Sequence, residues 1–369
     1  MMRFLTLFPD AENVHLTKDV GMIPFVLYRD FGYDATLACY KNGDYQYLAT
    51  EVKGLKIVYI KKITGNKFLD SLIYLVFNTR KYDILQVYHL ERSSTVVLTL
   101  FRLLKFNKAI TYLKLDFDER ILNVTFKSLL GRLHKYLLGK VTCISIENKI
   151  LQDKLNADNV LGREVVYIPN GFNLTDGQPT VHQVKKLKKF ITVGRIGTAQ
   201  KNNEVLLGAF AVFCDTDNEW TLELIGDIAP QFNAYIEQYF ITYPQLKKRV
   251  YFSGFIADKS LLAQKYNEAQ VFILTSRFEG MPLVYVEAMQ AGCCIISSDI
   301  LAARDITRMG QFGYLFEVGN VDQLFALMLS VTRDIVKLKA DQDKVRIYAQ
   351  QNYSWVVILQ CLNEAIRTV

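Results

Sequence analysis

No apolar run in the chain approaches the length of a membrane span. The longest, residues 72–77 and 95–101, fall far short of the roughly 20 residues that cross a bilayer, which counts against a spanning helix. The opening MMRFLTLFPDAEN has too brief an apolar stretch for a secretory signal, and residues 4–8 read as a first strand. The expected location is therefore the cytoplasm. The six cysteines, Cys39, Cys143, Cys214, Cys293, Cys294 and Cys361, contain no CxxC pair, so a zinc knuckle or disulfide framework is not expected and buried reduced thiols are. No GxGxxG opens either half, which argues against a dinucleotide-dependent oxidoreductase. Nor is there a polar, low-complexity tail: half the residues are hydrophobic and 22% are charged, a globular composition.

What is present is enough chain for two cores. At 369 residues two domains are the default. In the first half, short apolar runs at 4–8, 35–39, 56–60, 84–88, 110–115, 141–146 and 165–168 alternate with helical periodicity such as Phe68, Leu72, Leu75, Val76 and Thr79. The turn signal Ile168-Pro169-Asn170-Gly171 then marks a boundary near residue 170, followed by a polar connector. The alternation restarts with strands at 189–193, 222–225 and 250–252 and helices at 203–213, 231–240 and 259–267. Strands alternating with helices imply an α/β chain with two doubly wound parallel sheets, and ligands of such sheets gather outside the carboxyl ends of the strands. The net charge of +7 suits an anionic partner without naming one.

In the first half that rule singles out Asp10, His89 and the segment 116–119, which begins with Asp116, each just after a strand. For His89 the ordinary alternative is a hydrogen-bonded strand-end residue. Asp116 and Asp118 form a DxD spacing that ligates a divalent cation in some sugar transferases. Asp215 and Asp217 repeat it in an ordinary turn, so no metal role is assigned and Asp116 is kept as a site residue only. Gly21, ahead of a helix, would let a substrate approach the backbone. Residues 126–141 place Leu129, Leu130, Leu133, Leu137 and Leu138 at helical spacing with Lys127, Arg132, Lys135 and Lys140 between them. Such a helix suits an anionic lipid surface, and the ordinary reading, leucines in the core and charges in water, is preferred.

The second half carries the denser pattern. In residues 271–299 a strand, a polar loop, a helix opened by Pro282, a stop at Gly292 and another strand form a βαβ unit. Glu279 precedes the helix, Glu287 lies within it, and Gly280 leaves the first-turn N–H groups open, an arrangement suited to an anion flanked by hydroxyls. That is the chemistry of a nucleotide-sugar. Gly194 and Arg195 follow another strand, and Lys201 opens the next helix, supplying cations for a diphosphate. Gly226 ends a strand and again permits close backbone approach. The stretch VYFSG at 250–254 offers main-chain groups to a base.

The set VGR…K, LIGD, VYFSGF and SRFEGMPLVYVEAMQAG, in that order, resembles the retaining nucleotide-sugar glycosyltransferases of family 4, closely over residues 165–320. The resemblance implies a GT-B fold, two Rossmann-like doubly wound parallel-sheet domains facing a central cleft. Residues 1–170 would take the acceptor, 171–352 the nucleotide-sugar, and 353–369 would cross back onto the first domain. It makes Glu279 and Glu287 the family's E-x7-E pair, binding donor sugar and ribose. Arg195 and Lys201 would neutralise the leaving diphosphate, and the backbone of Gly280, Met281, Pro282, Leu283 and Val284 would complete the pocket with the N–H groups it has. No cofactor or metal is implied, the nucleotide-sugar being a substrate. The first half departs from the family pattern: its glycine pair is reduced to Gly21, and His89 matches the expected histidine only in part.

The expected function is transfer of a hexose from a UDP-sugar, or a GDP-sugar, to a lipid-linked glycan in bacterial surface polysaccharide assembly, with retention. Its partners would be donor, glycan or glycolipid acceptor, and an anionic membrane through 126–141 at the inner face of the cell membrane, with no nucleic acid. The alternatives are a protein side-chain glycosyltransferase, a non-catalytic GT-B scaffold subunit and a metal-dependent transferase using Asp116 and Asp118.

Overall fold

The computed structural model describes residues 1–173, 185–217 and 219–367. Most of the polar connector expected after residue 171 lies outside them. The chain forms two compact units, Met1–Asn173 with Tyr353–Val369, and Leu174–Asn352.

The first unit is built on strands β1 (Arg3–Leu7), β2 (Asp34–Cys39), β3 (Lys56–Tyr59), β4 (Ile84–Tyr88), β5 (Ile110–Leu115), β6 (Cys143–Ile146) and β7 (Val165–Tyr167). They form one parallel sheet in the order β3-β2-β1-β4-β5-β6-β7, which reverses direction between β1 and β4. Every residue of β4 and β6 is buried, as expected of central parallel strands covered on both faces, whereas β3 at the edge is mostly exposed. The periodic stretch from Phe68 is the helix Lys67–Asn78. Asn66 caps it, accepting from the N–H groups of Phe68 at 3.0 Å and Leu69 at 3.2 Å.

The helix Trp355–Arg367 completes this unit. Its apolar side places Trp355, Ile358, Leu359, Leu362 and Ile366 in the same core as Phe4, Ile23 and Leu37, beside the helix Asp19–Phe31. Each such buried side chain contributes about 1.5–3 kcal/mol. Tyr33 donates to Asn363 Oδ1 at 2.8 Å, and the N–H of Trp355 donates to the Phe172 carbonyl at 3.0 Å.

The second unit holds β8 (Leu187–Val193), β9 (Thr221–Ile225), β10 (Val250–Gly254), β11 (Ala269–Leu274), β12 (Cys294–Ser298) and β13 (Tyr314–Phe316). All pair in parallel, in the order β10-β9-β8-β11-β12-β13, and this sheet reverses between β8 and β11. Its core packs the ring of Phe190 against Trp220 at 4.7 Å and Phe213 at 5.3 Å. The second strand of the 271–299 unit is Cys294–Ser298, and Pro282 is the N-cap of the helix Leu283–Gln290 and not its first residue. Cys39, Cys143, Cys293 and Cys294 are buried free thiols, while Cys361 is exposed.

Candidate functional site

The loops leaving β8 and β11 meet where the second sheet reverses direction, the place at which doubly wound sheets bind ligands. Thr275 on one loop donates to the Lys201 carbonyl of the other at 2.8 Å, and the N–H of Arg277 donates to the Gln200 carbonyl at 2.8 Å. On this frame Lys201 Nζ reaches Glu279 Oε1 at 2.5 Å, with only 12% and 9% of the two side chains exposed. Ser276 donates to the same oxygen at 2.7 Å, and Gln200 Nε2 approaches Glu279 Oε2 at 3.3 Å. Glu279 is thus an acceptor held from three sides. Arg195 is exposed and steadied by Gln200 Oε1 at 3.0 Å. The structure brings Arg195, Lys201 and Glu279 onto adjoining loops. Ser276 and Gln200 were not foreseen, because single hydroxyl and amide side chains in polar loops carry no spacing signal.

Beyond Glu279 the chain turns into the helix Leu283–Gln290. Pro282 has no side chain able to cap it, so the N–H groups of Leu283 and Val284 face an uncapped helix end. Such an end attracts negative charge. Met281 is buried. Glu287, one turn into the helix, accepts from Tyr266 OH at 3.1 Å. Burial and the adjacent carboxylate both hold the proton on Tyr266, keeping it a donor.

Two glycines have reasons other than ligand approach. A Cβ on Gly226 would stand 1.9 Å from the Gly194 carbonyl oxygen, so Gly226, at φ 140°, lets the ends of β8 and β9 close on each other. Gly194 itself, at φ 148°, lies under Lys201, whose Cε would be 3.4 Å from an added Cβ. Gly21 does not stand ahead of a helix. It lies inside Asp19–Phe31, where a Cβ would come 2.3 Å from the Leu16 carbonyl oxygen, and its smallness serves packing.

In the first unit the sheet reversal between β1 and β4 has its own cluster. His89 follows β4 with φ 66°, a strained conformation for a side chain of this size, of the kind that collects at functional sites. Phe8 lies beside His15, Tyr88 and His89, with ring centres 5.5, 5.4 and 6.1 Å away. His15 Nδ1 accepts from the Glu12 N–H at 3.0 Å, and burial, then Lys18, lowers its pKa, so it stays neutral with Nε2–H free to donate. Asp116 is exposed at the end of β5. Asp118 is occupied otherwise: it caps Glu119–Asn123 and pairs with Arg120 at 2.6 Å. Among the described residues no three His, Cys, Asp or Glu side chains gather to hold a metal ion.

The preferred reading of the basic helix is overturned. In Leu129–Leu138 only Gly131 and Leu138 are buried, while Leu129, Leu130, Leu133 and Tyr136 are 84%, 61%, 52% and 62% exposed. Lys127, Arg132 and Lys140 are exposed beside them. No helix among the described residues is long and apolar enough to cross a membrane.

Residues 187–334 match the family model of the glycosyl transferases group 1. The matched residues lie within the second unit, Leu174–Asn352. A lipopolysaccharide 1,6-galactosyltransferase of Salmonella typhimurium is 29% identical over 201 residues, 53% of this chain and 52% of that enzyme, so the match spans about half the relative's length. An Escherichia coli UDP-Gal:alpha-D-GlcNAc-diphosphoundecaprenol alpha-1,3-galactosyltransferase is 24% identical over 342 residues, 86% of this chain and 84% of the relative. The chain has the fold of Anabaena HepE, crystallised with UDP and glucose, at a TM-score of 0.71 and 17% identity, with all of each chain covered. The Glu279 loop, Lys201 and the helix Leu283–Gln290 all fall inside the matched residues.

Proposed function

We propose that the chain transfers a hexose from a nucleotide-diphosphate sugar, a UDP-sugar by preference, to a lipid-linked glycan in bacterial surface polysaccharide assembly, retaining anomeric configuration and needing no metal. One observation carries this reading: Glu279, anchored by Lys201 and Ser276 where the second sheet reverses, directly before an uncapped helix N-terminus. A departing diphosphate gains charge as the glycosidic bond breaks. Lys201, Arg195 and the N–H groups of Leu283 and Val284 are fixed positive groups that stabilise it in the role a metal would fill. Glu279 accepts from donor sugar hydroxyls, and Glu287, oriented by Tyr266, from the ribose. No carboxylate is assigned as a nucleophile, in keeping with a front-face displacement in which the leaving phosphate takes the acceptor's proton.

The names of the Salmonella and E. coli relatives favour a lipopolysaccharide or diphosphoundecaprenol acceptor, and the latter favours a UDP donor. The helix Leu129–Leu138 supports a lipid-linked acceptor from this chain's own residues. Its exposed leucines and neighbouring basic groups suit the surface of an anionic bilayer, where each basic residue contributes about 1 kcal/mol. Incubation with UDP- and GDP-sugars in the presence and absence of EDTA, scored by nucleotide release, tests the reading. Release is expected with a UDP-hexose and unaltered by EDTA. No release from any sugar nucleotide, or release abolished by EDTA and restored by a divalent cation, would count against it.

A further inference from the structure

At the carboxyl end of the first sheet one buried lysine shares a corner with three acids. Lys114 on β5 is fully enclosed, with Nζ 3.8 Å from Asp19 Oδ2, 3.7 Å from Glu147 Oε2 and donating to the Ile168 carbonyl at 3.2 Å. Glu147, next after β6, is 1% exposed, and its Oε2 accepts from Asn170 Nδ2 at 2.9 Å. Glu147 Oε1 is enclosed and meets no donor among the described residues, which suits an oxygen that carries a proton and requires an acceptor. Leu115 of β5 pairs with Ile146 of β6, so Asp116, the exposed residue that follows, comes beside Glu147 within hydrogen-bonding reach.

One ammonium balances one carboxylate, and a further buried carboxylate beside it is uncompensated, so this corner must retain a proton. The most enclosed acid is the place for it. Burial, then the charge of Asp116, push Glu147 well above the usual carboxylate range, and burial raises Asp19 as well. The other groups facing the corner are Lys18 beside Asp19, Tyr88 on β4 and Tyr112 on β5, and burial keeps the proton on both tyrosines.

We propose that Glu147 is a positioning residue for Asp116: from its enclosed place behind β6 it donates a hydrogen bond that fixes the Asp116 carboxylate, leaving the outer oxygen to receive a hydroxyl of the acceptor glycan. The assignment rests on the reading that the first unit takes the acceptor. Glu147 does not touch substrate. Loss of its proton places a second negative charge against Asp116 and releases it, so acceptor use falls on the alkaline side.

The test uses the full chain, UDP-galactose as donor, N-acetylglucosaminyl-diphosphoundecaprenol in detergent as acceptor probe, and UDP release as readout. Glu147→Ala is expected to raise the acceptor KM about tenfold or more with the UDP-galactose KM unmoved. Glu147→Gln, which keeps a donor that cannot ionise, is expected to rescue most of that loss and to flatten the alkaline fall. An infrared titration of the unliganded chain is expected to show a protonated-carboxyl band that disappears as pH rises and is missing from Glu147→Gln. An unaltered acceptor KM and pH profile in Glu147→Ala, or identical infrared titrations for Glu147→Gln and the parent chain, would overturn the assignment. Absence of any acceptor-stimulated release by the parent chain would count against the transfer reading and not against Glu147, which the infrared titration decides by itself.

Discussion

Replacing Lys201 by Met removes one charge while nearly keeping the side chain's length, and the structure sets what that should cost. Lys201 and Glu279 form a pair of which 12% and 9% is exposed, at 2.5 Å. Removing one partner of a buried pair destabilises by about 3–5 kcal/mol, because the other charge is left behind. Here Ser276 and Gln200 still reach Glu279, so the lower end, about 3 kcal/mol, is expected in urea denaturation. Lys201→Met/Glu279→Gln removes both charges and should lose less than the sum of the two single changes. Nucleotide binding separates the roles. A charge-assisted hydrogen bond is worth about 1.5–3 kcal/mol, so Lys201→Met should weaken UDP binding by calorimetry roughly 10- to 100-fold. Glu279→Gln should leave UDP binding nearly unmoved and depress turnover of the UDP-sugar. Unaltered UDP affinity in Lys201→Met, or equal loss of UDP affinity in both single variants, would refute the assignment.

Other changes have equally definite outcomes. Gly226→Ala drives a Cβ to 1.9 Å from the Gly194 carbonyl oxygen at a φ of 140°, and a loss of about 3 kcal/mol or more is expected in denaturant unfolding; a neutral result would contradict the strand-end packing. Replacing Leu129, Leu130 and Leu133 together by Gln should change stability by only about 1 kcal/mol, since all three are exposed, and abolish flotation with anionic vesicles. Retained flotation would remove the lipid-surface role of this helix. Asp70 is buried, which pushes its pKa up, but donors from Thr64, Tyr40 and Ile63 outweigh burial and bring it to about 2. Its ionised form therefore contributes stability at neutral pH that is lost as pH falls from the unfolded carboxyl value towards about 2. Asp70→Asn should be less stable at neutral pH and lose less on acidification, and an acid limb unchanged from the parent chain would contradict this.

The parallel α/β class was legible because each central strand is a short apolar run bounded by polar turns, as at Ile84–Tyr88 and Ala269–Leu274. That Arg195, Lys201 and Glu279 lie on adjoining loops was legible because charged residues directly after neighbouring parallel strands share one end of the sheet. What escaped lacked periodicity or depended on distant partners. β13 is three residues long, too short for any pattern. The leucines of Leu129–Leu138 have the spacing of a core-facing stripe, and spacing alone does not reveal whether a partner covers it. Gly21 and Gly226 were assigned to substrate approach, but the atoms they accommodate belong to Leu16 and Gly194. Glu147 and Lys114 sit in strands or at their ends among apolar neighbours, and only the folded sheet brings them to Asp19 and Asp116.

The central claim is that Glu279 and Lys201 form a nucleotide-sugar site, and UDP release from UDP-galactose by the parent chain, Glu279→Ala and Lys201→Ala tests it most directly. The account predicts release by the parent chain and at least about a hundredfold loss in each variant, with the variants still folded by circular dichroism. Release from the folded variants at the parent rate would contradict it.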